Sequence, residues 1–329
     1  MSKSTNSLLY NVVITGTPIA ERGEKLLSNT CNIEYTKPYI EPSKLAKKLR
    51  IGKADALLVR MGKITREVIE ASPNLKVIAK HGTGVDNIDV SAATELKIPV
   101  LIPALANYES VTEHTLGLIF ALAKDIPELD RRIRKGYWDK PNYRGIELFK
   151  KTLGLIGFGR IGRRVRELVV PLQMKVLVYD PFLESNEILP DVIRVEKLEE
   201  LLKSADIISL HCNLTEQTRH LIDKNELKLM KKTAWLINTS RGEVVNEEAL
   251  IVALKEGEIA AAGIDTFYKE PPKCTNLLFK AGKTVLTPHI AGITEESFER
   301  MGVDSAKNIL TILEGGKPNR ENVVNPEVF

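Results

Sequence analysis

The chain has 329 residues, of which 43% are hydrophobic, and a formal net charge of +4 from 47 basic and 43 acidic side chains. This length suggests two domains, with one large α/β domain as the alternative, and the small charge surplus argues against a nucleic-acid partner. No signal-peptide pattern and no membrane-spanning apolar run is visible, so we expect a cytoplasmic protein without a membrane partner. Three scattered cysteines, Cys31, Cys212 and Cys274, indicate a reducing compartment, and no spacing of side chains predicts a metal site.

In the first third of the chain, short β-branched runs alternate with amphipathic stretches. Buried strands are predicted at 11–15, 54–60 and 75–80, and a helix is predicted to begin near Pro42. This alternation is typical of a parallel sheet that is covered by helices.

The longest helical segment extends from about Ser110 to Lys135, and Pro127 is expected to kink or interrupt it. A polar, aromatic loop at 136–149 follows this segment. A second series of strands and helices then begins, and the C-terminal segment contains a helix that ends at a pair of glycines.

The second series opens with LGLIGFGRIGRRV, in which three glycines stand between a predicted strand and a predicted helix. Gly157 would allow a tight turn, Gly159 would leave the backbone open to a pyrophosphate, and Gly162 would let the helix pack closely on the strand. The helix N-terminus would then offer N–H groups to the phosphates. The alternative is a glycine turn without a ligand.

A carboxylate in the expected place supports the dinucleotide interpretation. The next predicted strand, KVLVYDP, ends in Asp180, eighteen residues after Gly162. A carboxylate there accepts hydrogen bonds from ribose hydroxyls and repels a 2′-phosphate, so the pattern predicts NAD rather than NADP. The alternative is a surface aspartate that caps the next helix.

Three side chains near predicted strand ends carry the chemistry that reduction of a 2-oxo acid requires. The Arg241 guanidinium can bind a carboxylate through two parallel hydrogen bonds. His289 follows a later strand, nineteen residues after Glu270, and a carboxylate beside an imidazole stabilises its protonated form. Taken singly, each of the three also has an ordinary structural interpretation.

The motifs GFGRIG, VYDP, NTSRGEVVNEEAL, AAGIDTFYKEPP and TPHIAGITEES together resemble the ordered signatures of the D-isomer-specific 2-hydroxyacid dehydrogenases. HGTGVDNID and NYESVTEHTLGLIFALAK extend the resemblance into the first third. The resemblance implies that Arg241 binds substrate, that Glu270 tunes His289, that His289 is the acid/base, and that Asp265 lies near the nicotinamide carboxamide. The cofactor-binding residues that we predict are Gly157, Gly159, Arg160, Ile161, Gly162, Asp180, Pro181, His211, Thr239, Ser240, Asp265 and Gly292.

The resemblance also implies an architecture of two α/β domains, Rossmann-like or flavodoxin-like, with parallel sheets and helices on both faces. The substrate-binding domain would comprise 1–107 and 294–329, the NAD-binding domain 108–293, and the active site would lie in the cleft. The long helix and the loop at 136–149 would form a homodimer. Trp138 and Tyr143 are expected either at that interface or buried within one chain.

A second glycine-containing loop, HGTGVDNID, is expected to bind the substrate carboxylate through backbone N–H groups near Thr83, Gly84 and Val85. Within the family, this region is similar to D-3-phosphoglycerate dehydrogenases, whose C-terminal regulatory domain we expect to be absent. Arg60 and Lys80 fall at basic positions, which favours a substrate with a second anionic group, unless both are solvated surface charges. The substrate-binding residues that we predict are Arg60, Lys80, Thr83, Gly84, Val85, Arg241 and His289.

The sequence therefore predicts an NAD-dependent oxidoreductase that interconverts a D-2-hydroxy acid and its 2-oxo acid. The substrate would be 3-phosphoglycerate or a similar molecule with a second anionic group. A glyoxylate or hydroxypyruvate reductase is the enzymatic alternative, because it needs no distal anion site. An NAD-sensing, corepressor-like binding protein is the alternative from another class.

Overall fold

The computed structural model describes residues 10–184 and 189–329. It divides into two compact units. The first unit comprises Met1–Asn107 and Ile293–Phe329, and the second comprises Tyr108–Gly292. The chain therefore leaves the first unit, completes the second, and returns to the first.

A five-stranded parallel sheet with the order β2-β1-β3-β4-β5 forms the centre of the first unit. The order changes direction between β1 and β3, and ligands of open α/β sheets bind at such a switch point. The strands of this unit are β1 (Tyr10–Thr15), β2 (Cys31–Thr36), β3 (Ala56–Val59), β4 (Val77–Lys80) and β5 (Val100–Leu101). Its helices are α1 (Glu21–Ser28), α2 (Pro42–Gly52), α3 (Arg66–Glu70), α4 (Val90–Glu95) and, in chain order, α11 (Glu295–Leu313).

Helix α11 is a structural part of the first unit. Ile309 and Leu313 are buried against one face of the sheet together with Leu27 of α1. A Cβ added to Gly23 of α1 would lie 2.5 Å from the carbonyl oxygen of Gly302, so the two helices approach closely at these glycines. The first unit therefore needs segments from both ends of the described chain.

A seven-stranded parallel sheet with the order β12-β11-β10-β9-β6-β7-β8 forms the centre of the second unit. Its switch point lies between β6 and β9, as in sheets that bind dinucleotides. The strands are β6 (Thr152–Ile156), β7 (Lys175–Tyr179), β8 (Val192–Arg194), β9 (Ile207–Leu210), β10 (Trp235–Asn238), β11 (Ala261–Ile264) and β12 (Lys283–Leu286). The helices are α5 (Tyr108–Lys124), α6 (Ile126–Ile133), α7 (Arg160–Val169), α8 (Leu198–Ser204), α9 (Lys224–Leu229) and α10 (Glu247–Glu256).

Helices cover both faces of the second sheet. Along β10, Trp235 and Ile237 belong to one hydrophobic cluster with Ile119 of α5, whereas Leu236 belongs to a second cluster with Leu227 of α9. Successive side chains of a strand point to opposite faces, which explains this division. The predicted fold of two α/β domains with parallel, helix-covered sheets is confirmed.

The segment predicted as the longest helix is two helices, α5 and α6. They are separated by Asp125, whose φ of 51° lies in the left-handed region. Pro127 falls in the first turn of α6, where its missing N–H removes no helical hydrogen bond. Within the described ranges, no helix has both the length and the apolar character that crossing a membrane would require.

Candidate active site

The three glycines between β6 and α7 have different surroundings. Gly157 has a φ of 93°, and a Cβ added to it would lie 2.8 Å from the backbone of His211. A Cβ on Gly162 would lie 2.4 Å from the carbonyl oxygen of Gly157, so α7 packs directly on the turn. A Cβ on Gly159 would meet no atom of the described residues within 4 Å. The turn is therefore packed against other backbone atoms at Gly157 and Gly162, whereas the space beside Gly159 is open.

The open side of this turn is also the N-terminus of α7. Gly159 is the N-cap residue and has no capping side chain, and the N-terminus of a helix attracts anions. Arg160 and Ile161, which were predicted to bind the cofactor, are the first residues of this helix. A pyrophosphate fits this arrangement because the backbone is uncovered where the positive end of the helix dipole lies.

Asp180 follows β7 and is fixed against the glycine turn. Its Oδ2 accepts a hydrogen bond from Phe158 N–H at 2.8 Å, and its Oδ1 accepts one from Phe182 N–H at 3.0 Å. A carboxylate has about four acceptor positions, so capacity for ribose hydroxyls remains. Pro181, which was also predicted to bind the cofactor, directly follows Asp180 in the chain. The arrangement fits NAD, with the glycine turn at the pyrophosphate and Asp180 at the ribose.

His211 lies on the other side of the switch point, immediately after β9. Burial lowers the pKa of His211 to about 4, so its ring is neutral near pH 7. Its Nε2 lies 2.9 Å from Ser209 Oγ. The His211 ring is therefore uncharged, and it lies beside the predicted cofactor site.

The turn after β10 carries Arg241. Asn238 Oδ1 accepts hydrogen bonds from the Ser240 N–H at 3.0 Å and the Ser240 hydroxyl at 2.9 Å. Asn238 Nδ2 donates to the carbonyl oxygen of Arg241 at 2.9 Å. One buried amide side chain thus closes the turn that contains Thr239 and Ser240 and fixes the backbone from which the guanidinium extends.

The turn after β12 carries His289 and is organised by Asp265, at the end of β11. The Asp265 carboxylate is fully buried and accepts hydrogen bonds from Thr287 Oγ1 at 2.6 Å, Ile290 N–H at 3.0 Å and Ala291 N–H at 2.9 Å. The Asp265 carbonyl oxygen accepts from His289 N–H at 2.7 Å. Because these bonds hold several consecutive residues, Asp265 positions the whole turn, which ends near Gly292.

His289 and Glu270 form a hydrogen-bonded pair at this turn. His289 Nδ1 lies 2.6 Å from Glu270 Oε2, and Glu270 Oε1 accepts from Phe267 N–H at 3.0 Å. A carboxylate only accepts, so Nδ1 is the donor, and His289 Nε2 is the ring nitrogen left for proton transfer. The His289 side chain is 46% exposed, so a substrate can reach it.

The charge state of Glu270 is set by opposing effects. Burial raises the pKa of Glu270, but the hydrogen bond and charge of His289, the Phe267 N–H and the charge of Arg241 together bring that pKa below its usual value. The carboxylate therefore remains charged into the mildly acidic range. The influence of Arg241 on Glu270 also shows that the three predicted catalytic residues lie near one another in the second unit.

Residues 116–291, all within the second unit, match the family model described as D-isomer specific 2-hydroxyacid dehydrogenase, NAD binding domain. Over 320 residues, the chain is 42% identical to a D-3-phosphoglycerate dehydrogenase of Methanocaldococcus jannaschii, an alignment that covers 96% of this chain and 60% of the relative. The chain belongs to the D-isomer-specific 2-hydroxyacid dehydrogenase family.

Two further similarities extend over almost the whole of both proteins. A glyoxylate reductase of Thermofilum pendens is 41% identical over 319 residues, covering 94% of this chain and 93% of the relative. The crystal structure of the TT0316 protein from Thermus thermophilus has a TM-score of 0.87 at 33% identity, covering 95% of this chain and 99% of the other. The predictions of the family, of an oxidoreductase and of NAD as the cofactor are confirmed.

The predicted substrate-binding residues other than Arg241 and His289 lie in the first unit. Thr83, Gly84 and Val85 form part of the loop after β4, in which Gly82 has a φ of 134°. The Arg60 guanidinium donates to the carbonyl oxygen of Thr17 at 2.5 Å and contacts Thr17 Oγ1 and the Pro18 carbonyl oxygen.

The second predicted cation of the first unit is also engaged. Lys80 Nζ donates to Asn87 Oδ1 at 3.0 Å. The neighbouring His81 is buried, with its ring 5.3 Å from that of Phe298. Burial and the charges of Arg60 and Lys80 lower the pKa of His81 to about 3, so this ring is neutral. The dehydrogenase family fold thus places Arg60 and Lys80 close to a buried, uncharged histidine.

Several residues for which the sequence indicates no role contact the turns that carry Arg241 and His289. His114 Nε2 lies 2.9 Å from Thr287 Oγ1, and Thr115 Oγ1 lies 3.0 Å from Thr239 Oγ1. These partners are 173 and 124 residues apart in the sequence, so no local pattern could have revealed them. Within the described ranges, no group of three or more His, Cys, Asp or Glu side chains is placed to hold a metal ion.

Proposed function

We propose that this chain is an NAD-dependent dehydrogenase that interconverts a D-2-hydroxy acid and its 2-oxo acid. The observation that supports this most strongly is the Glu270–His289 pair, with its 2.6 Å hydrogen bond at Nδ1 and its exposed ring. An accessible imidazole that a charged carboxylate orients is well suited to general acid–base catalysis.

Each catalytic side chain has one task in this proposal. The Arg241 guanidinium binds the substrate carboxylate through paired, charge-assisted hydrogen bonds. His289 gives the proton at Nε2 to the carbonyl oxygen during reduction and takes it from the hydroxyl during oxidation. Glu270 keeps the ring oriented and stabilises its positive charge. NAD, when bound, supplies or accepts the hydride.

We propose that the substrate carries a second anionic group, as 3-phosphoglycerate does, and that Arg60 and Lys80 bind it. The similarity to a D-3-phosphoglycerate dehydrogenase supports this choice. The glyoxylate or hydroxypyruvate reductase alternative is favoured by the contacts of Arg60, because Nη1 of this side chain already donates to oxygens of Thr17 and Pro18. The similarity to a glyoxylate reductase supports it as well.

NADH oxidation measured with 3-phosphohydroxypyruvate, hydroxypyruvate and glyoxylate tests both choices. With a distal anion site, Arg60→Ala should raise the KM for the phosphorylated substrate about tenfold or more, because a charge-assisted hydrogen bond is lost. It should leave the KM for glyoxylate nearly unchanged. Equal effects on both substrates would reject the distal site, and no turnover of any oxo acid would instead favour the NAD-sensing binding protein.

We propose that the protein forms a homodimer in the cytoplasm. Trp138, in the loop after α6, is 71% exposed, and Ile126, Ile133 and Tyr137 are exposed nearby in the sequence. Tyr143 instead donates its hydroxyl to the Lys124 carbonyl oxygen of its own chain at 2.8 Å. Light scattering of the wild type and of Trp138→Asp tests this, since a dimer that persists in the variant would exclude Trp138 from the interface.

A further inference from the structure

We propose that two adjacent residues of helix α5, His114 and Thr115, are positioning residues that fix the two catalytic turns relative to each other. We call them the α5 pair. One member is hydrogen-bonded to the turn that carries His289, and the other to the turn that carries Arg241. The inference rests on the proposed function for its catalytic consequence, but the contacts themselves do not depend on it.

The direction of the His114 contact follows from the proton count. Thr287 Oγ1 lies 2.6 Å from the buried Asp265 Oδ1, and the carboxylate only accepts, so the Thr287 hydroxyl proton is used there. The hydroxyl oxygen can then only accept from His114 Nε2, 2.9 Å away, which therefore carries a proton. His114 Nε2 also lies 3.6 Å from Asp265 Oδ1.

This chain of hydrogen bonds ends at the acid/base turn. The Asp265 carboxylate accepts hydrogen bonds from the Thr287 hydroxyl and from the N–H groups of Ile290 and Ala291. His289 stands between these partners with a φ of 55°, a region that residues with a side chain occupy only when their surroundings hold them there. His114 thus donates to Thr287, whose hydroxyl is one of the donors around the carboxylate that holds this turn.

Thr115 is hydrogen-bonded to the turn that carries Arg241, and the direction of this bond also follows from the available protons. Thr115 Oγ1 donates to the Val111 carbonyl oxygen at 2.8 Å, one helical turn earlier. Its oxygen therefore accepts from Thr239 Oγ1, 3.0 Å away, in the turn that the Asn238 side chain closes and that carries Arg241. Both hydroxyls are in buried residues, so an unmade bond here is costly.

The backbone of α5 is held close to the sheet beside the pair. A Cβ added to Gly263 of β11 would lie 3.2 Å from Leu118 Cβ and 3.0 Å from Ile237 Cδ1. Glycine at this place lets α5 approach the strands whose ends carry both turns. Because one rigid helix holds both turns through neighbouring residues, the separation between guanidinium and imidazole is fixed by a single element.

Steady-state kinetics of separate variants test whether His114 supports the turn of His289 and Thr115 supports the turn of Arg241. His114→Leu should lower kcat about tenfold with a small change in the KM for the oxo acid, because the acid/base turn is loosened. Thr115→Val should raise that KM about fivefold to tenfold with a smaller change in kcat. His114→Gln, whose amide N–H can replace the ring donor, should recover most of the loss.

Thr112→Val is the matched control. Thr112 is buried in the same helix and donates to the Tyr108 carbonyl oxygen at 2.8 Å, as Thr115 does to Val111, and its described hydrogen bond stays within α5. The control should keep both kinetic parameters within about twofold of the wild type. If the α5 variants change kcat and KM no more than this control does, or if His114→Gln recovers nothing, the proposal is overturned.

Hydrogen exchange separates this proposal from the proposed function. His114→Leu should speed amide exchange about fivefold to tenfold at 287–291, and Thr115→Val should do so at 238–242, while Thr112→Val should affect neither segment. This result would support positioning even if the wild type reduced none of the oxo acids, which would reject the function alone. Unchanged exchange in both segments would overturn the positioning role.

Discussion

His289 is held in a left-handed backbone conformation, with a φ of 55°, by hydrogen bonds from its own N–H and from the two residues that follow it. Such a conformation costs on the order of 1–3 kcal/mol for a residue with a side chain. The surrounding bonds to Asp265 offset that cost. In return, the ring is directed towards Glu270 on one side and towards solvent on the other.

Replacing Glu270 tests the proton chemistry of this pair. Glu270→Gln keeps the size of the side chain but removes the charge that favours a protonated ring beside it. We expect the upper pH limit of oxo-acid reduction to move to lower pH and kcat near pH 7 to fall about tenfold or more. Steady-state rates from pH 5 to 10 measure this, and a profile that keeps the wild-type limit would remove Glu270 from the mechanism.

Asp180 is expected to set the choice of cofactor. Asp180→Ser removes the negative charge that repels a 2′-phosphate, so the ratio of kcat/KM for NADPH to that for NADH should rise about tenfold or more. Because the carboxylate also binds Phe158 N–H, NADH affinity should fall as well. Asp180→Asn, which keeps one acceptor oxygen, is the comparison, and an unchanged ratio in both variants would argue against a ribose contact.

The element formed by β6, the glycine turn and α7 allows cofactor binding and stability to be tested separately. Gly162→Ala places a methyl group 2.4 Å from a backbone oxygen, so helix and strand must separate, at about 1–3 kcal/mol of unfolding free energy. Gly159→Ala meets no described atom and should leave stability nearly unchanged, yet weaken NADH binding. Thermal unfolding and NADH titration measure the two effects, and a destabilised Gly159→Ala would contradict the open turn.

Sites formed by one continuous stretch of sequence could be predicted, whereas contacts between segments that are distant in the sequence could not. The glycine turn and Asp180 form one continuous stretch, so strand, glycines, helix and acid could be identified in order. Helix α5 could be identified as a helix, but its contacts to Thr239 and Thr287 depend on how the sheet brings distant strand ends together. Hydropathy carries no information on which polar residue of a helix meets which turn.

Across the whole molecule, two buried histidines should make stability fall on acidification. The pKa of His81 is lowered to about 3 and that of His211 to about 4, both because burial disfavours the charged ring. Between these values and about 6.5, the unfolded chain binds protons that the folded chain does not, so the free energy of unfolding decreases as pH falls.

Urea unfolding at pH 7, 6 and 5 checks this expectation. Well below pH 6.5, His81 should lower the free energy of unfolding by about 1.4 kcal/mol for each unit that the pH falls. His81→Gln should remove this contribution to the pH dependence. His211→Gln should do the same for the second unit. If both variants retain the wild-type pH dependence, the acid sensitivity has another origin.

At the scale of the molecule, the motifs predicted the fold class and the family, and both are confirmed. The roles of individual site residues and the assignment of substrate and cofactor to domains stay predictions. Arg60 shows why: the sequence places a cation in the expected position, but Nη1 of its guanidinium already donates to oxygens of Thr17 and Pro18. Charge can be read from a sequence, whereas the availability of that charge depends on the fold.

The packing of α11 against α1 has a consequence for synthesis. The second unit is one uninterrupted stretch of chain, so it can fold on the ribosome as soon as residue 292 has left the exit tunnel. The first unit must wait, although its strands were translated earlier, because the helix that covers Leu27 and meets Gly23 is translated after the second unit. During that interval the sheet face that Ile309 and Leu313 later cover has no helix on it, so we expect a nascent chain stalled there to expose apolar surface that a chaperone can bind.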